Sequence, residues 1–416
     1  MADDVLDLIP ADLRAEAAAL DEADPLAAHR ELFVQTPGVV AYLDGNSLGR
    51  PLIATRESLS RFVDGEWGDR LIRAWDESWM ERPTALGDLL GRVTLGAAAG
   101  QTVIGDSTTV MLYKLLRAAV GGQPGRTEIV ADTENFPTDR YIVESVADET
   151  GLQIRWISPD PASGVRLEEV EAVLSERTAV VLLSHVAYKS AYVSDMAAIT
   201  AAAHGVGALA LWDLCHSVGA LELQLDALGV DVAVGCTYKY LNGGPGAPAF
   251  GYVATALQDR LAQPIAGWMG HAEPFEMGPA YQPATGIRRF LSGTPPILGM
   301  LPLRDMLALV EQAGMPAVRA KSVALTEFAI TVADRILAPA GVAVASPRDP
   351  NVRGGHVLLE HEEMEAVVMR LWDRGVIPDF RRPRGLRAGL SPLSTSFGEL
   401  LTAMAHVREA LTAPPH

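Results

Sequence analysis

Two residues with complementary chemistry follow two apolar segments in the middle of the chain. Asp213 comes directly after the segment ALALW, and Lys239 lies just beyond the segment VDVAVGC. Short apolar segments of this kind are typical of buried strands, and open α/β sheets bind their ligands at the carboxyl ends of strands. We therefore expect a carboxylate and an amine over the same edge of a sheet, one βαβ unit apart.

This pair matches what pyridoxal 5'-phosphate (PLP) chemistry requires. A lysine forms a Schiff base with the aldehyde, and a carboxylate keeps the pyridine nitrogen protonated so that the ring accepts electrons. The alternative is that Asp213 caps a helix and Lys239 is a surface lysine. Because Asp and Lys are both common, the spacing alone does not separate the two interpretations.

A second cluster has the features of a phosphate site. The residues Gly105 to Thr109 read GDSTT and precede a helical pattern, VMLYKLLRAAV. Small hydroxyl residues and free backbone N–H groups at a helix N-terminus bind phosphate. An ordinary N-cap is the alternative, since Ser and Thr are preferred at that position.

A third cluster, ENFPTDRY, follows the apolar segment TEIVAD. Its Phe136, Pro137 and Asp139 place an aromatic ring, a turn and an acid at a strand end, where they could hold a flat ring. The alternative is a capped turn that enters a helix.

The surrounding elements must bring these clusters together. Strand-like and helical patterns alternate from about 100 to 260, which predicts βαβ units and a mostly parallel sheet with helices on both faces. The strand segments are TEIVAD, IRWIS, TAVVLLSHV, ALALWDL and VDVAVGC, and VRLEEVEAVLSER is helical. Residues 262–300 predict a long ordered loop region. A helical pattern over 301–338 then leads into a smaller α+β unit with HVLLEH, a helix around 362–374 and GLRAGLSPL.

The composition excludes several classes of protein. The 416 residues are 49% hydrophobic and 21% charged, and the formal net charge of −18 argues against a general nucleic-acid or anionic-membrane binder. Two cysteines cannot form a disulfide framework and favour a reducing compartment. The start lacks signal-peptide features, and no apolar run approaches the ~18 residues of a membrane span. The histidines show no metal-ligand spacing, so we expect no metal. The prediction is a soluble, cytoplasmic, multi-domain enzyme.

Nine segments resemble the kynureninase family of PLP-dependent enzymes, which has the aspartate aminotransferase fold. They cover most of the chain in the family's order, with a looser match over the last hundred residues. The segments are YLDGNSLGRP, SWMERPTALGDLLG, STTVMLYKLL, ENFPTDRY, LLSHVAYKSA, LWDLCHSVGAL, CTYKYLNGGPGAPAF, GWMGHAEPFEM and RRFLSGTPPILGM. The resemblance implies an α/β fold with a large, mostly parallel seven-stranded sheet and a smaller α+β domain.

The resemblance also implies roles for individual residues. Lys239 matches the Schiff-base lysine, Asp213 the partner of the pyridine nitrogen, and Tyr238 a phosphate-binding tyrosine that relays protons. The other implied cofactor-binding residues are Thr108, Thr109, Phe136, Pro137, Thr138, Asp139, Ser184, His216, Trp268 and Thr294. In the family, contacts like those of Trp268 and Thr294 come from the second subunit of a homodimer. The implied substrate-binding residues are Ser47, Trp75 and Arg387, the last as the clamp of the α-carboxylate; Trp79 is an alternative to Trp75, and Phe275 and His271 are further pocket candidates.

The implied activity is hydrolysis of L-kynurenine to anthranilate and L-alanine, in tryptophan catabolism or NAD biosynthesis. The implied division of the chain is 1–55 as part of the small domain, 56–300 as the PLP-binding domain, and 301–416 as the rest of the small domain. One residue departs from the family: Met111 stands where an Asn is usual. If that position faces the pocket, the substrate preference differs from the family's, for example toward a ring-substituted kynurenine such as 3-hydroxykynurenine; if it packs under the cofactor, the change is structural.

Other classes remain as alternatives at this stage. A catalytically silent homologue that acts as a binding subunit would have no need of Lys239, Asp213 and Arg387. A cysteine desulfurase needs a nucleophilic cysteine on a mobile loop, whereas Cys215 and Cys236 are expected to be buried filler at strand ends. The arginines at 381, 382, 384 and 387 predict either an anion patch or a loop with one functional arginine.

Overall fold

The computed structural model describes residues 9–412. A seven-stranded sheet occupies its centre, with the strands in the order β2-β8-β7-β6-β5-β3-β4. The strands are β2 (Thr102–Ile104), β3 (Glu128–Asp132), β4 (Gln153–Ile157), β5 (Thr178–Ser184), β6 (Leu209–Asp213), β7 (Val232–Gly235) and β8 (Phe250–Val253). The five predicted strand segments correspond to β3 through β7, and each of them is parallel to its neighbours in that group.

Burial on both faces explains why β3, β5, β6 and β7 read as continuous apolar runs, whereas β4 lies at the sheet edge and is partly exposed. On β5 and β6, Leu182 and Leu211 point to one hydrophobic core, while Leu183 and Trp212 point to the other. The sequence analysis missed β2 and β8, which are three and four residues long. Strand β8 runs antiparallel to β7 and β2, which is why the sheet is mostly, rather than fully, parallel.

Helices cover both faces of this sheet. They are α2 (Ile53–Arg61), α3 (Arg82–Leu90), α4 (Thr108–Gly121), α5 (Pro137–Thr150), α6 (Leu167–Glu171), α7 (Met196–Gly205), α8 (Thr255–Gln258) and α9 (Leu301–Ala313). The pattern VRLEEVEAVLSER predicts a longer helix than the five residues of α6. Residues 262–300 form loops with three short helical turns, as expected.

A second sheet has the order β1-β11-β12-β10-β9 and joins the two ends of the chain. Its strands are β1 (Ala41–Leu43), β9 (Ala343–Val344), β10 (His356–Glu360), β11 (Val376–Arg381) and β12 (Gly385–Gly389). The N-terminal strand β1 pairs in parallel with β11. Its helices are α1 (Ala11–Glu22), α10 (Met315–Val332), α11 (Met364–Asp373) and α12 (Phe397–Thr412). The helical pattern over 301–338 is thus two helices, because Gly314 has a φ of +78° between α9 and α10.

Each sheet has its own hydrophobic core. Leu325, Phe328 and Leu359 belong to the core of the second sheet, whereas Leu301 and Leu307 of α9 pack in the core of the first. The division of the chain at residues 55 and 300 stays a prediction. Within residues 9–412, no helix is both long and apolar enough to cross a membrane.

Candidate active site

The carboxyl edge of the large sheet carries the two groups that the sequence analysis began from. Ser184 ends β5 and Asp213 ends β6, and the two residues are paired in register. Lys239 lies in the loop after β7. Its Nζ is 3.1 Å from Nε2 of His216 and 5.9 Å from the centre of the Phe136 ring. The amine and the carboxylate therefore meet at one edge, as expected. The connection between the parallel strands β6 and β7 contains no helix, however, so it is not the βαβ unit that the sequence predicts.

Lys239 also differs from the other lysines of the chain. The sequence has four, and Lys114, Lys189 and Lys321 each form an ion pair with a carboxylate. Among residues 9–412, Lys239 is the lysine without a carboxylate within ion-pair distance. Its amine is left for another partner.

The Asp213 carboxylate is held by neighbours on three sides. Its Oδ1 accepts from the backbone N–H of Cys215 at 2.8 Å, and its Oδ2 accepts from the Ser184 hydroxyl at 3.2 Å. Burial, and then the charge of Asp213 beside it, raise the pKa of Asp139 well above its usual range. The raised pKa favours the protonated, neutral form of Asp139 next to the Asp213 carboxyl group.

The His216 imidazole contacts the amine of Lys239. Burial, followed by the positive charge of Lys239, holds the pKa of His216 well below its usual range. Its Nε2 also lies 3.2 Å from the backbone carbonyl oxygen of Asn46, in the turn after β1. The imidazole is thus neutral and fixed between the two sheets.

The N-terminus of α4 opens at the same edge. Ser107 caps the helix by accepting from the N–H of Val110 at 3.4 Å. The N–H groups of Thr108 and Thr109 have no carbonyl partner within the helix, as in any first turn. These N–H groups, the two threonine hydroxyls and the positive end of the helix dipole form a site suited to phosphate.

Phe136 presents its ring to the same space. Its side chain is 37% exposed, and Tyr188 contacts it edge-on with 5.4 Å between ring centres. The Asn135 side chain fixes the turn, because its Oδ1 accepts from the Phe136 N–H and from Ser184 Oγ, both at 2.7 Å. Pro137 begins α5, so the ENFPTD segment is both a helix start and an aromatic wall.

One cavity collects most of the predicted cofactor-binding residues. It is lined by Thr108, Thr109, Phe136, Thr138, Asp139, Ser184, Tyr188, Asp213, Cys215, His216, Tyr238 and Lys239. Tyr188 and Cys215 were missed as site residues, although the segment around Tyr188 was part of the resemblance. Burial raises the pKa of Tyr238, so its phenol is protonated.

Arg387 lies beside this cavity, 1% exposed, on β12. Its Nη2 is 2.7 Å from Oδ2 of Asp379 and donates to Ser47 Oγ at 2.7 Å. Its Nη1 donates to the carbonyl oxygen of Tyr188 at 2.7 Å. The structure thus brings together Ser47 and Arg387, as predicted, next to a residue that lines the cofactor cavity. The neighbouring arginines are more exposed, and Arg382 is 86% exposed, which favours one buried arginine over an anion patch.

Trp268 and Thr294 lie away from the Lys239 cavity. The indole N–H of Trp268 donates to Thr294 Oγ1 at 3.2 Å, and its ring contacts Trp75 edge-on at 5.3 Å between centres. A separate, open cavity of about 680 Å³ is lined by Ile72, Trp75, Ala266, Gly267, Trp268, His271, Glu273, Pro274, Phe275, Met277, Gly278, Pro279, Ala280 and Tyr281. Trp75, Trp268, His271 and Phe275 are therefore grouped, but they are not brought to Lys239 within one chain.

Met111 does not line either cavity. Its side chain is fully buried and packs against Gly251 of β8. This favours the structural interpretation of the Asn-to-Met departure over a role in substrate choice. Cys215 and Cys236 are both buried and free, as expected.

Sequence reasoning missed three further residues near the site. His356, on β10, lies 5.6 Å from His216 between ring centres, and burial holds its pKa well below the usual range. Asp379 pairs with Arg387 across β11 and β12, and Asn135 fixes Phe136. The register of the small sheet places the first two, and no local pattern in the sequence reports that register.

Comparison with known proteins settles the family. The chain is 42% identical over 405 residues to a kynureninase from Pseudomonas fluorescens, covering 96% of this chain and 95% of that protein. It is 41% identical, with the same coverage, to a kynureninase from Burkholderia pseudomallei strain 1106a. The chain belongs to the kynureninase family. Residues 318–407 match the kynureninase C-terminal domain, and residues 81–285 match PLP-dependent enzymes of Cys/Met metabolism.

Solved structures show that this kynureninase-family chain has the predicted fold. An apo cysteine desulfurase from Thermococcus onnurineus NA1 superimposes with a TM-score of 0.80 at 18% identity, covering 92% of this chain and 97% of that one. The cysteine desulfurase CsdA from Escherichia coli gives a TM-score of 0.78 at 18% identity, covering 93% and 98%. At this identity the likeness concerns the fold. The α/β, PLP-dependent-transferase fold class is confirmed.

The residues of this edge fit PLP group by group. The α4 N-terminus suits the phosphate, the exposed face of Phe136 suits a flat ring, and Lys239 suits an aldehyde. Two buried polar atoms in this part of the structure, Nδ2 of Asn135 and Oδ2 of Asp139, have no hydrogen-bond partner. Buried polar groups are almost always partnered in folded proteins, so these two atoms indicate a polar ligand over the edge.

Proposed function

We propose that this protein hydrolyses L-kynurenine to anthranilate and L-alanine, with PLP as cofactor. The observation that carries the proposal is that Lys239 and Asp213 line one cavity in a chain of the kynureninase family. Substrate and reaction come from the relatives' name, and the residues of this edge support them chemically. The overall reaction adds one water to the γ-carbonyl carbon and breaks the bond between Cβ and Cγ.

The chain's residues prepare the cofactor site. When bound, PLP links to an amine through its aldehyde, and its protonated ring accepts electrons from bonds of the amino acid. The Asp213 carboxyl group would pair with the ring nitrogen of bound PLP and favour its protonated form. Asp139, whose raised pKa favours its neutral form, lies beside that carboxyl group. Thr108 and Thr109 bind the phosphate, and Phe136 stacks on the ring.

Two groups handle protons during the reaction. With PLP bound, the Lys239 amine would take the proton from the substrate α-carbon. His216, neutral and 3.1 Å away, keeps the lysine amine pointed at this position. Tyr238 has a raised pKa and so offers a proton rather than a negative charge, which suits a general acid for the later steps.

Arg387 orients the substrate through its α-carboxylate. A planar guanidinium gives two parallel, charge-assisted hydrogen bonds to a carboxylate. Arg387 is already rigid because Asp379 and Tyr188 hold it. The Ser47 hydroxyl accepts a hydrogen bond from the same guanidinium group. We propose that the substrate carboxylate replaces or shares this contact when it binds.

Product analysis tests the activity. Purified protein supplied with PLP and L-kynurenine should release anthranilate and L-alanine in equal amounts, and the Lys239→Ala variant should release neither. Release of anthranilate without alanine, or no product at all from the wild type, would overturn the proposal. The second outcome would revive the silent binding subunit, which the intact Lys239, Asp213 and Arg387 disfavour.

A ring-substituted kynurenine is the alternative substrate. It depended on Met111 facing the pocket, and the burial of that side chain against Gly251 removes its support. A comparison of kcat/KM for L-kynurenine and 3-hydroxykynurenine decides between them: our proposal requires the higher value for L-kynurenine.

We propose further that the protein is a homodimer whose two sites are shared. The support is the open, largely apolar cavity beside Trp268, in which Met277 is 86% exposed and Phe275 53% exposed. Large exposed apolar patches mark interaction sites. A second copy that covers this face would carry Trp75, Trp268 and Thr294 toward the Lys239 cavity of its partner.

Subunit mixing tests this arrangement. Lys239→Ala and Trp268→Ala subunits should each be nearly inactive alone. In a mixed dimer, one site has Lys239 from one subunit and Trp268 from the other, so activity should return on mixing. Activity that stays at the level of the separate variants, or a monomer by light scattering, would contradict the shared site.

The cytoplasm stays our prediction for the location of the protein. It is supported by the two free, buried cysteines, because reduced thiols are typical of reducing compartments. Cell fractionation with an antibody against the protein would test it, and recovery outside the cytoplasmic fraction would contradict it.

A further inference from the structure

Lys114 is a buried cation that the reaction does not use. It lies on α4, and its side chain is fully buried. Its Nζ is 2.8 Å from Oδ2 of Asp106, the residue just before the N-cap Ser107. Burial lowers the pKa of Lys114, while the Asp106 charge acts in the opposite direction. A buried ammonium without a partner costs several kcal/mol, so the Asp106 contact is obligatory for the charged lysine.

The partner of Lys114 holds an uncommon backbone conformation. Asp106 has a φ of +55°, in the left-handed region that few non-glycine residues adopt. Two backbone bonds fix the same turn: Gly105 N–H donates to the Ala249 carbonyl at 2.9 Å, and Ala249 N–H donates to the Asp106 carbonyl at 3.0 Å. This turn directs the chain into the first turn of α4, where Thr108 and Thr109 lie.

The charge of Asp106 is unfavourable for a phosphate site. A carboxylate two residues before Thr108 repels a phosphate dianion through the same field that the α4 N-terminus uses to attract it. Lys114 places a positive charge directly on that carboxylate. Lys114 is fully buried and the Asp106 side chain is 27% exposed, so salt and water screen this pair less than a pair at the surface.

We propose that Lys114 is a positioning residue for the cofactor phosphate. It holds Asp106 in the left-handed turn that presents the α4 N-terminus, and it cancels the carboxylate charge next to the phosphate. The inference rests on the proposed binding of PLP. It adds a residue on the buried side of α4 that touches no part of the cofactor.

Comparing two ligands that differ by the phosphate group tests this role. Apoprotein of the wild type and of Lys114→Met is titrated with PLP and with pyridoxal, which keeps the ring and aldehyde and lacks the phosphate. In Lys114→Met, affinity for PLP should fall by roughly 10- to 100-fold, as for loss of a charged hydrogen bond, while affinity for pyridoxal should hardly change. An unchanged PLP affinity, or equal losses for both ligands, would overturn the inference.

A double variant separates charge from folding. Asp106→Asn with Lys114→Met leaves no unpaired charge in the interior, and Asn tolerates a positive φ. It should regain most of the PLP affinity that Lys114→Met loses. The neutralising role is wrong if the double variant binds PLP as weakly as Lys114→Met does. If Lys114→Met does not fold, the role is wrong when the double variant binds PLP far more weakly than the wild type.

Lys321 provides the matched control. It is a buried lysine paired with Asp24, and it packs over Phe397 in the core of the second sheet. Lys321→Met should lower the melting temperature and leave the ratio of PLP to pyridoxal affinity unchanged; an equal change in that ratio would contradict a specific role for Lys114. A wild type that binds no PLP would instead overturn the proposed function itself.

Discussion

The buried carboxyl groups of Asp139 and Asp213 are neighbours at the carboxyl edge of the large sheet, and the charge of Asp213 acts directly on Asp139. The two side chains are 3% and 6% exposed, and burial together with the Asp213 charge raises the pKa of Asp139 well above its usual range. These surroundings favour the protonated, neutral form of Asp139. Two neighbouring carboxyl groups are thus assigned different roles by their surroundings.

This pair predicts unequal effects of the same substitution. Asp139→Asn replaces a neutral donor by another neutral donor and should leave kcat within a few-fold of wild type. Asp213→Asn removes the charge that keeps the ring nitrogen protonated and should lower kcat by about 10²–10³-fold. Steady-state kinetics on both variants measures this, with the absorbance of bound PLP confirming that each retains cofactor. Equal losses in the two variants would contradict the assignment.

Substitution of Arg387 should weaken the binding of the substrate. Arg387→Lys replaces the planar fork with a point charge, so the α-carboxylate loses one of its two hydrogen bonds. KM for L-kynurenine should rise by roughly 10- to 100-fold, the equivalent of one charged hydrogen bond. Arg382→Lys is the matched control, since Arg382 is 86% exposed and near in sequence. A similar KM in both variants would remove Arg387 from the substrate site.

Asp44 predicts a pH-dependent effect on stability. Burial raises the pKa of Asp44 to about 6, and Ser47 donates a hydrogen bond to its side chain. An unfolded Asp titrates near pH 3.9, so between about pH 4 and pH 6 the folded state binds more protons than the unfolded state. The ionised carboxylate therefore lowers stability above about pH 6, and the penalty disappears as the pH falls toward 4.

The Asp44→Asn variant cannot ionise at this position and should escape the penalty. Its melting temperature relative to wild type should rise as the pH increases from about 4 to about 7. Asp64→Asn, at an exposed position, controls for general effects of charge removal. A difference in melting temperature that is independent of pH would contradict the raised pKa.

Substitution of the buried Met111 should change the stability of the protein without changing its substrate specificity. Met111→Asn, which restores the residue usual in the family, places an amide among apolar side chains against Gly251. The free energy of unfolding should fall by about 1–3 kcal/mol because the amide is unsatisfied. The ratio of kcat/KM for L-kynurenine and 3-hydroxykynurenine should not change. Met369→Asn, at a position 69% exposed on α11, should alter neither quantity; a shifted substrate ratio in Met111→Asn would place this residue in the pocket after all.

The sequence predicts the core of this architecture well for a physical reason. Strands β3, β5, β6 and β7 are buried on both faces, so their apolar runs are nearly unbroken and polar residues such as Asp213 mark their ends. The short strands β2 and β8 carry weaker patterns, and their antiparallel pairing depends on contacts far apart in sequence. Helix α6 ends at Glu171 although the apolar spacing continues, because local periodicity does not fix a helix end.

The candidate site likewise contains residues that the sequence predicts and residues that it does not. Residues at strand ends and at the α4 N-terminus, among them Lys239 and Thr108, were predictable because one sheet edge collects them. Arg387 was expected from the family resemblance, whereas His356 was not, and both residues reach the site through the register of the second sheet. The direction in which the Met111 side chain points could not be predicted from the sequence, because it depends on how α4 packs on β8. Trp268 and Trp75 lie apart from Lys239 within one chain. In the proposed dimer, these two residues of one subunit would lie near Lys239 of the other.

The attachment of the cofactor to Lys239 is the most direct test of the whole account. Purified protein with PLP is reduced with borohydride, digested and mapped by mass spectrometry. The chain has four lysines, and the other three are ion-paired with carboxylates, so the label should be confined to the peptide that contains Lys239. A pyridoxyl group on Lys114, Lys189 or Lys321, or no label on any lysine, would contradict it.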